Sequence, residues 1–427
     1  MAEEARSACI DAINIYRQDH PLSIVVSSRS AEYLSQERKL QLQSAVEVQP
    51  LTSQQVQRFL AAGKRSLEAV RATLDHNPIL QELLTTPLLL SVVILAYRGK
   101  AKKDLPQMGT AGEQQRQVFS YYVQRMLERP VARGRFTPDQ TRRWLTWLAQ
   151  QMQQHQLTEF YIERLQLTWL PTLQARKRFP WLNRLLVALP SGLLGGLLGG
   201  LLLGRLGGLY FGLCIGLLFG SDSRLTGTVA QPTETLSWSW SAIRRKPFVA
   251  WSIWLVGALI IGVLGGLARG LVAGVLGGLL FFIGYGLLSG ISGAQMDEHL
   301  RLKPNQGIQR SGRNALSVVL VVGLGFGLGF GLLVKPSLGL SIGLDSGLLS
   351  GLGFGGTAYL AHYTLRFLLW RSGVMPWHYV RFLDEATGRI LLQRVGGGYR
   401  FIHPLFQEHF ASGVETTSPV IVPSPPP

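Results

Sequence analysis

The chain has 427 residues, of which 47% are hydrophobic and 16% charged, with a formal net charge of +17 at pH 7. A basic excess of this size is typical of nucleic-acid-binding proteins. Here, however, much of it flanks long apolar blocks, which favours a role in membrane orientation, so we expect no nucleic-acid partner. The two cysteines, Cys9 and Cys214, lie in different regions and predict neither a disulfide framework nor a metal site.

Residues 1–180 have the composition of soluble sequence, and helix signals dominate them. Residues 5–16 place small and apolar side chains on one helical face. Residues 22–26 form a short apolar run that predicts a buried parallel strand, ending just before Arg29. Helix starts with capping residues follow at three places: Thr52 with Gln55, Thr86 with Pro87, and Thr137 with Pro138 and Gln140.

Glycine recurs every fourth residue through three apolar blocks, at about residues 185–220, 248–291 and 316–360. This spacing puts the glycines on one helical face, where a neighbouring helix can approach closely within a bilayer. Each block exceeds the roughly 20 residues of one crossing and has a basic residue near its middle. We therefore predict three hairpins and six membrane helices, at residues 184–203, 206–221, 249–268, 271–291, 315–334 and 338–360.

Lysine and arginine also predict an orientation. Basic residues precede the first helix, occupy both loops between the hairpins and follow the sixth helix. An even number of crossings puts all of these clusters on one side, which is the cytoplasm by the positive-inside rule. We expect a multi-pass protein of the plasma membrane, in contact with the lipid bilayer, with both termini in the cytoplasm.

Asp345 is the one acidic residue inside a predicted membrane helix, and such a carboxylate is a functional candidate. It keeps open the alternative of a transport or pore-forming protein with regulatory soluble parts. Glycine-rich helix faces more often mediate tight packing or association, and we expect a homo-oligomer formed through these helices.

The segment after the membrane region predicts a two-stranded wing. Residues 389–395 and 399–402 have strand composition, and three glycines separate them. Residues 401–411 then read Phe-Ile-His-Pro-Leu-Phe-Gln-Glu-His-Phe-Ala, with His403 third. Residues 413–427 are rich in proline, which predicts a disordered tail.

The N-terminal part of the chain contains, in order, a helix, a strand, the run Ser-Ser-Arg-Ser-Ala-Glu-Tyr, further helices and the run Thr-Pro-Leu-Leu-Leu. This order resembles the second half of a NACHT domain, found in STAND-class signalling NTPases. The sequence around His403 is similar to the winged-helix signature F-x-H-x-x-x-Q-E-x-F-A of this family. The resemblance covers about residues 1–165 and 374–412. It implies that Arg29 senses the γ-phosphate, that Pro87 packs against adenine, and that His403 contacts the β-phosphate of ADP.

The expected fold is therefore mainly α, with a partial P-loop α/β remnant and helical domain, and a winged-helix module interrupted by a six-helix membrane bundle. The resemblance assigns the nucleotide-binding remnant and helical domain to residues 1–110. The two halves of the winged helix are expected in 111–180 and 362–412, with the membrane region in 181–361 and the tail in 413–427.

Two motifs of nucleotide chemistry are absent from the sequence. It has no G-x-x-x-x-G-K-[ST] loop to bind phosphates and no strand ending in paired aspartates to hold Mg²⁺. In the family these precede a helix like residues 3–16, so we expect a truncated product, a misplaced start codon or one half of a split protein.

We accordingly predict no catalytic residue, no metal ligand and no enzymatic activity for the chain by itself. ATP or ADP with Mg²⁺ would bind only if an upstream segment supplied the P-loop. The expected function is that of a membrane-anchored fragment of a nucleotide-dependent signalling switch, acting on an unidentified signalling partner.

Overall fold

The structure, a computed structural model, describes residues 3–20, 23–99, 109–131, 134–221, 235–244, 248–294, 303–333 and 335–413. The described part is mainly helical, and its strands form two antiparallel pairs. The chain divides into two units, Met1–Val118 and Phe119–Pro427. The predicted tail after residue 413 and parts of both loops between the hairpins lie outside the described residues.

The first unit is built from short helices around an aliphatic core that includes Leu60, Val70 and Leu84. Two of the capping predictions for this unit are confirmed, because Thr52 and Gln55 form a capping box and Thr86 caps the helix that begins at Pro87. The helices are α1 Glu3–Asp19, α2 Ser30–Leu34, α3 Ser53–Ala62, α4 Glu68–Leu74, α5 Pro78–Leu83, α6 Pro87–Tyr97 and the first part of α7 Ala111–Glu128.

The strand predicted at residues 22–26 is wrong for the described part of that run. Residues 23–29 have no regular secondary structure, and the Val25 side chain is 96% exposed. A parallel strand needs neighbouring strands for its backbone hydrogen bonds, and the described residues of this unit contain none. The apolar composition of the run was therefore not sufficient to predict its structure.

The second unit begins and ends with soluble elements. After α7 come α8 Pro138–Gln154 and two 3₁₀ turns, Ile162–Arg164 and Leu167–Trp169. The C-terminal elements are α16 Tyr379–Gly388, β3 Leu392–Val395, β4 Gly398–Phe401 and α17 Pro404–Ala411. Strands β3 and β4 pair as an antiparallel hairpin, which confirms the predicted pair of strands. We call α8, residues 159–161, α16, β3, β4 and α17 the hairpin module.

Between these soluble elements lie the glycine-rich helices. Breaks occur at Gly204 and Gly270, both with positive φ, and at Lys335, which is extended. Strands β1 Thr235–Trp238 and β2 Ile291–Ala294 pair beside the hairpins. The helices are α9 Leu173–Ser221, α10 Trp240–Arg244, α11 Phe248–Arg269, α12 Leu271–Leu288, α13 Gln306–Leu333, α14 Pro336–Gly351 and α15 Thr357–Arg371.

The glycine faces point at the other helix of the same hairpin. A Cβ atom built on Gly212 would lie 2.8 Å from the carbonyl oxygen of Gly192, and one built on Gly208 would lie 2.9 Å from that of Gly196. In the third hairpin, a Cβ atom on Gly347 would lie 2.6 Å from the Val319 carbonyl oxygen. These distances are too short for any side chain, so the two backbones of each hairpin pack directly on each other.

Two details of the predicted helices need correction. Helices α9 and α13 begin at Leu173 and Gln306, before the predicted starts at 184 and 315, because a helix can extend beyond its apolar run with polar side chains. The predicted helix 338–360 is not continuous. A π-helical segment at Leu352–Gly356 interrupts it, and Gly355 has φ of 112° and packs against the Ser311 backbone.

Three helices in the described part of the chain are long and apolar enough to cross a membrane: Leu173–Leu201, Leu271–Leu288 and Gln306–Leu333. Many of their leucine and valine side chains are exposed, including Leu193 at 74%, Leu271 at 81% and Leu328 at 63%. An apolar surface of this extent in water would drive aggregation, which supports the prediction of a membrane protein.

Replacement of Gly347 by valine tests the close packing within the third hairpin. We expect Gly347→Val to destabilise the protein by at least about 1–3 kcal/mol, because the added side chain overpacks the interface. The thermal unfolding midpoint of the detergent-purified protein measures this effect. The matched control is Gly325→Val on the facing helix, since a Cβ atom at Gly325 meets nothing within 4 Å. Equal effects of the two substitutions would contradict the packing described.

Candidate functional site

The hairpin module is assembled from two segments that are far apart in the sequence. Phe160 and Tyr399 exchange backbone hydrogen bonds of 2.7 and 2.9 Å. Phe160 therefore pairs with the β3–β4 hairpin through an isolated β-bridge to β4. The Tyr122 hydroxyl donates to the Ile390 carbonyl oxygen at 2.7 Å, across 268 residues of sequence. The order is therefore helix, the short extended segment 159–161, helix and a two-stranded hairpin, with the glycine-rich helices inserted after the extended segment.

Side-chain contacts reinforce this assembly along α8 and α17. Gln150 donates to the Ala411 carbonyl oxygen at 3.4 Å, and Gln407 donates to that of Leu157 at 3.2 Å. The buried ring of Phe406 lies 4.6 Å from that of Phe119, measured between centroids. The helix that carries the resemblance motif is thus packed onto the segment that precedes the membrane region.

A buried ion pair also connects the two halves. Arg389 donates to Glu385 at 2.7 Å, and both side chains are less than a tenth exposed. Arg389 also donates to the carbonyl oxygens of Leu127 and Phe136, while Glu385 accepts the backbone N–H of Arg135 at 3.1 Å. A buried charge pair is stable only when most of its remaining donors and acceptors are also paired. Here backbone groups of the N-terminal half supply three such partners, while Arg389 Nε has none among the described residues.

His403 lies between the hairpin and the motif helix, as the residue that caps α17. Its Nδ1 accepts the backbone N–H of Leu405 at 3.2 Å, and its backbone is extended. This hydrogen bond requires an unprotonated Nδ1 and satisfies one of the free N–H groups at the start of the helix. The ring is half-buried, so the structure gives His403 a capping role that the sequence did not predict.

His409 is a packing residue rather than an exposed neighbour of the motif. Its ring lies edge-on to Phe119, with 5.9 Å between centroids. Burial, with a smaller contribution from the charge of Arg142, lowers the pKa of His409 to about 4, so the ring is neutral at pH 7.

The other two predicted site residues belong to the first unit. The Arg29 side chain is 80% exposed and forms an ion pair with Glu32 at 3.1 Å. Pro87 is exposed as the first residue of α6, a common position for proline at a helix start. For both residues the local structure is that of an ordinary helix terminus.

Sequence analysis missed a buried polar cluster next to the hairpin module. The Arg366 guanidinium lies over the rings of Tyr363, Trp377 and Tyr379, at 5.1, 5.6 and 4.9 Å from the centroids. It donates to the Trp377 carbonyl oxygen at 2.8 Å, and it is only 6% exposed. Among the described residues, no carboxylate forms an ion pair with it.

Three polar atoms of this cluster are buried without a hydrogen-bond partner among the described residues: Arg366 Nε, His362 Nε2 and Tyr379 Oη. Each such atom costs about 1–3 kcal/mol, which is large against a typical folding free energy of about 5–15 kcal/mol. Three favourable cation–π contacts, worth roughly 0.5–2 kcal/mol each, stabilise the charge but give these atoms no acceptor.

The protonation states of the cluster follow from burial. Burial, with a smaller contribution from Arg366, lowers the pKa of His362 to about 3, so this histidine is neutral at pH 7. Burial also raises the pKa of the Tyr379 hydroxyl, which therefore keeps its proton. The net charge of the cluster is +1, and the Arg366 and Tyr379 atoms that lack partners are hydrogen-bond donors.

The sequence contained one signal for this cluster. His362 and Arg366 are four residues apart, which places them on one face of a helix, and tyrosines and tryptophans occur around them. The positions of Trp377 and Tyr379 beyond a turn, however, depend on tertiary packing.

Within the glycine-rich helices, Asp345 Oδ2 is buried and has no hydrogen-bond partner among the described residues. On the next residue, Ser346 Oγ accepts the Tyr285 hydroxyl at 3.3 Å, which links α14 to α12. No group of three or more His, Cys, Asp or Glu side chains in the described part of the chain could hold a metal ion.

Comparison of the chain with family models, with curated proteins and with solved structures finds no match. The class that fold and composition define is a mainly helical protein with membrane-spanning candidates. Arguments about its function therefore depend on its own residues.

Removal of the Arg389 charge tests how the two halves are joined. We expect Arg389→Met to destabilise the protein by about 3–5 kcal/mol, because it leaves the Glu385 carboxylate buried and unpaired. Chemical denaturation of the detergent-purified protein measures this change. The control is Arg400→Met on the exposed side of β4, expected to change stability by less than about 0.5 kcal/mol.

A double substitution distinguishes the loss of a pair from the loss of packing. We expect Arg389→Met combined with Glu385→Leu to regain part of the stability, since no unpaired charge remains. A double variant no more stable than Arg389→Met would contradict the importance of the ion pair.

Proposed function

We propose that the chain is the membrane-anchored part of a NACHT-type, nucleotide-dependent signalling switch and is not catalytic on its own. The observation that carries this proposal is the assembly of the hairpin module from two segments on either side of the membrane helices. Its order of helix, strand, helix and two-stranded wing is that of a winged helix, and His403 follows the wing, as in the family signature.

In this proposal the winged helix is the moving part of the switch. ADP bound against His403 holds the module in a closed state, and exchange for ATP releases it and permits oligomerisation. Since the chain lacks the phosphate-binding loop, a further segment or a partner supplies it, and Arg29 and Pro87 contribute the γ-phosphate and adenine contacts that the resemblance implies.

In this proposal the switch lies at the cytoplasmic face of the plasma membrane. Exposed aromatic residues outside the predicted membrane segments, which begin at 184 and end at 360, support an interfacial position, since Trp181 is 72% and Trp370 47% exposed. Arg184 lies 5.9 Å from the Trp181 ring, so basic and aromatic residues occur together there. Because the glycine faces pack within each hairpin, we propose that homo-oligomers form through the outward apolar faces or the soluble units.

Transport or pore formation is the alternative, and Asp345 is the observation that favours it. A carboxylate oxygen without a partner inside an apolar bundle is typical of proton and ion pathways. Ion flux through vesicles reconstituted with the purified protein would favour this alternative over the switch.

Cysteine labelling tests the proposed topology. In a background with Cys9→Ser and Cys214→Ser, since both cysteines are exposed, we expect Lys303→Cys and Arg371→Cys to react with an impermeant reagent only after permeabilisation. Arg205→Cys, in the turn of the first hairpin, should react in intact cells. All three original side chains are exposed. Reaction of Lys303→Cys and Arg371→Cys from outside would show that the orientation is wrong.

Nucleotide binding tests the role of His403. In the complex with the segment or partner that supplies the phosphate-binding loop, we expect His403→Ala to weaken ADP binding at least about tenfold more than ATP binding. The reason is the loss of a hydrogen bond to a charged phosphate, worth about 1.5–3 kcal/mol. Isothermal titration calorimetry measures both affinities, and gel filtration measures the shift to the oligomer.

The control must separate nucleotide contact from helix capping. His403→Asn keeps a capping side chain and should restore the helix without restoring selectivity for ADP. Glu408→Ala, at an exposed position of α17, should change neither property, whereas His409→Ala is unsuitable because that ring is packed. Equal loss of ADP and ATP binding in His403→Ala would reduce His403 to its capping role.

A further inference from the structure

We propose that the cluster of Arg366, His362 and Tyr379 binds the phosphate group of a membrane lipid. The proposal rests on the membrane position of α15 within the proposed function, but on no nucleotide-dependent step. Arg366 and His362 lie outside the NACHT resemblance, which ends at 165 and resumes at 374. Tyr379 lies inside it but has none of the roles that the resemblance implies.

The chemistry of the cluster favours an oxyanion. Arg366 is a planar donor with one hydrogen bond to a protein acceptor, the Trp377 carbonyl oxygen, and no ion pair among the described residues. Its Nε and the Tyr379 hydroxyl are donors without partners, and His362 Nε2 is a third donor in the tautomer that carries its proton there. Phosphate oxygens accept several such hydrogen bonds at once, and a guanidinium matches their geometry.

The aromatic rings explain how a buried arginine without an ion pair is stabilised in this cluster. Tyr363, Trp377 and Tyr379 surround the guanidinium and hold it in one position. A preoriented donor loses little conformational freedom on binding. No carboxylate among the described residues pairs with the guanidinium, so an acceptor from another molecule would complete the cluster.

The depth of the cluster points to a lipid rather than a soluble phosphate. Arg366 lies six residues after residue 360, where the sequence predicts the end of the sixth membrane helix, and a helix rises roughly 1.5 Å per residue. It is thus roughly 9 Å beyond the hydrocarbon, in the headgroup region. Phe367 and Trp370 on the same helix are 39% and 47% exposed, as expected of side chains that anchor a helix at the interface.

Lipid affinity of the full-length protein tests the proposal. Native mass spectrometry of the detergent-purified chain would measure binding of phosphatidylglycerol, with diacylglycerol as the lipid that has the same acyl chains but no phosphate. We expect phosphatidylglycerol to bind and Arg366→Gln to lower its affinity at least about tenfold. The matched control is Arg371→Gln, at an exposed position of α15, with less than a twofold change.

A second variant allows the proposal to be tested even if Arg366→Gln does not fold. Tyr379→Phe removes only the hydroxyl and keeps the ring against Arg366, so we expect a folded protein with about three- to tenfold weaker binding of phosphatidylglycerol. A purely structural cluster would be unaffected by this change or stabilised, because the unpaired oxygen is gone.

Three outcomes would overturn the proposal. The first is equal affinity for phosphatidylglycerol in the wild type and both variants, and the second is equal binding of diacylglycerol. The third is competition by millimolar inorganic phosphate, which would make the ligand a soluble anion. A failure of the proposed orientation would be recognised separately by the cysteine labelling, since binding in micelles does not depend on which side of the membrane the cluster faces.

Discussion

The buried pairing of Arg389 with Glu385 is the interaction on which the second unit depends. Arg389 also donates to the backbone of Leu127 and Phe136, so the pair holds together segments more than 250 residues apart. Removal of either partner leaves a buried, unpaired charge, which is strongly destabilising. Both ends of the glycine-rich region are therefore fixed at the same module.

This junction constrains the glycine-rich helices. A segment that leaves the module after residues 159–161 and returns before α16 must reverse direction within the apolar region. If its helices cross a membrane, the number of crossings is even, which agrees with helix pairs broken at Gly204, Gly270 and Lys335. Direct backbone contact within each pair, as between Gly212 and Gly192, gives these hairpins their own cohesion without a contribution from the hydrophobic effect in lipid.

The Arg366 cluster lies close to this junction in the sequence. The basic and aromatic helix ends, the Arg366 cluster and the hairpin module follow one another along the second unit. Arg366 lies in α15 and Tyr379 begins α16, so the cluster joins the last apolar hairpin to the helix that carries Glu385. A ligand bound by the cluster would therefore act on the element that completes the module.

Local patterns in the sequence determined much of the secondary structure. Glycine spacing and central basic residues predicted the helix pairs, and the capping residues Thr52, Thr86 and Thr137 correctly marked helix starts. The strand at 22–26 was wrong, because a strand depends on neighbours that composition does not reveal. The NACHT resemblance and the nucleotide roles of Arg29, Pro87 and His403 remain predictions that the fold does not test.

The sequence by itself determined which segments are helical, apolar and hairpin-forming, since helix periodicity, capping and chain reversal are local properties. Only the tertiary structure decided that Phe160 bridges Tyr399, that Arg389 reaches Leu127, and that Trp377 and Tyr379 enclose Arg366. These contacts join residues distant in the sequence or beyond a turn. Their formation depends on packing and on the pairing of buried polar groups, which no local pattern encodes.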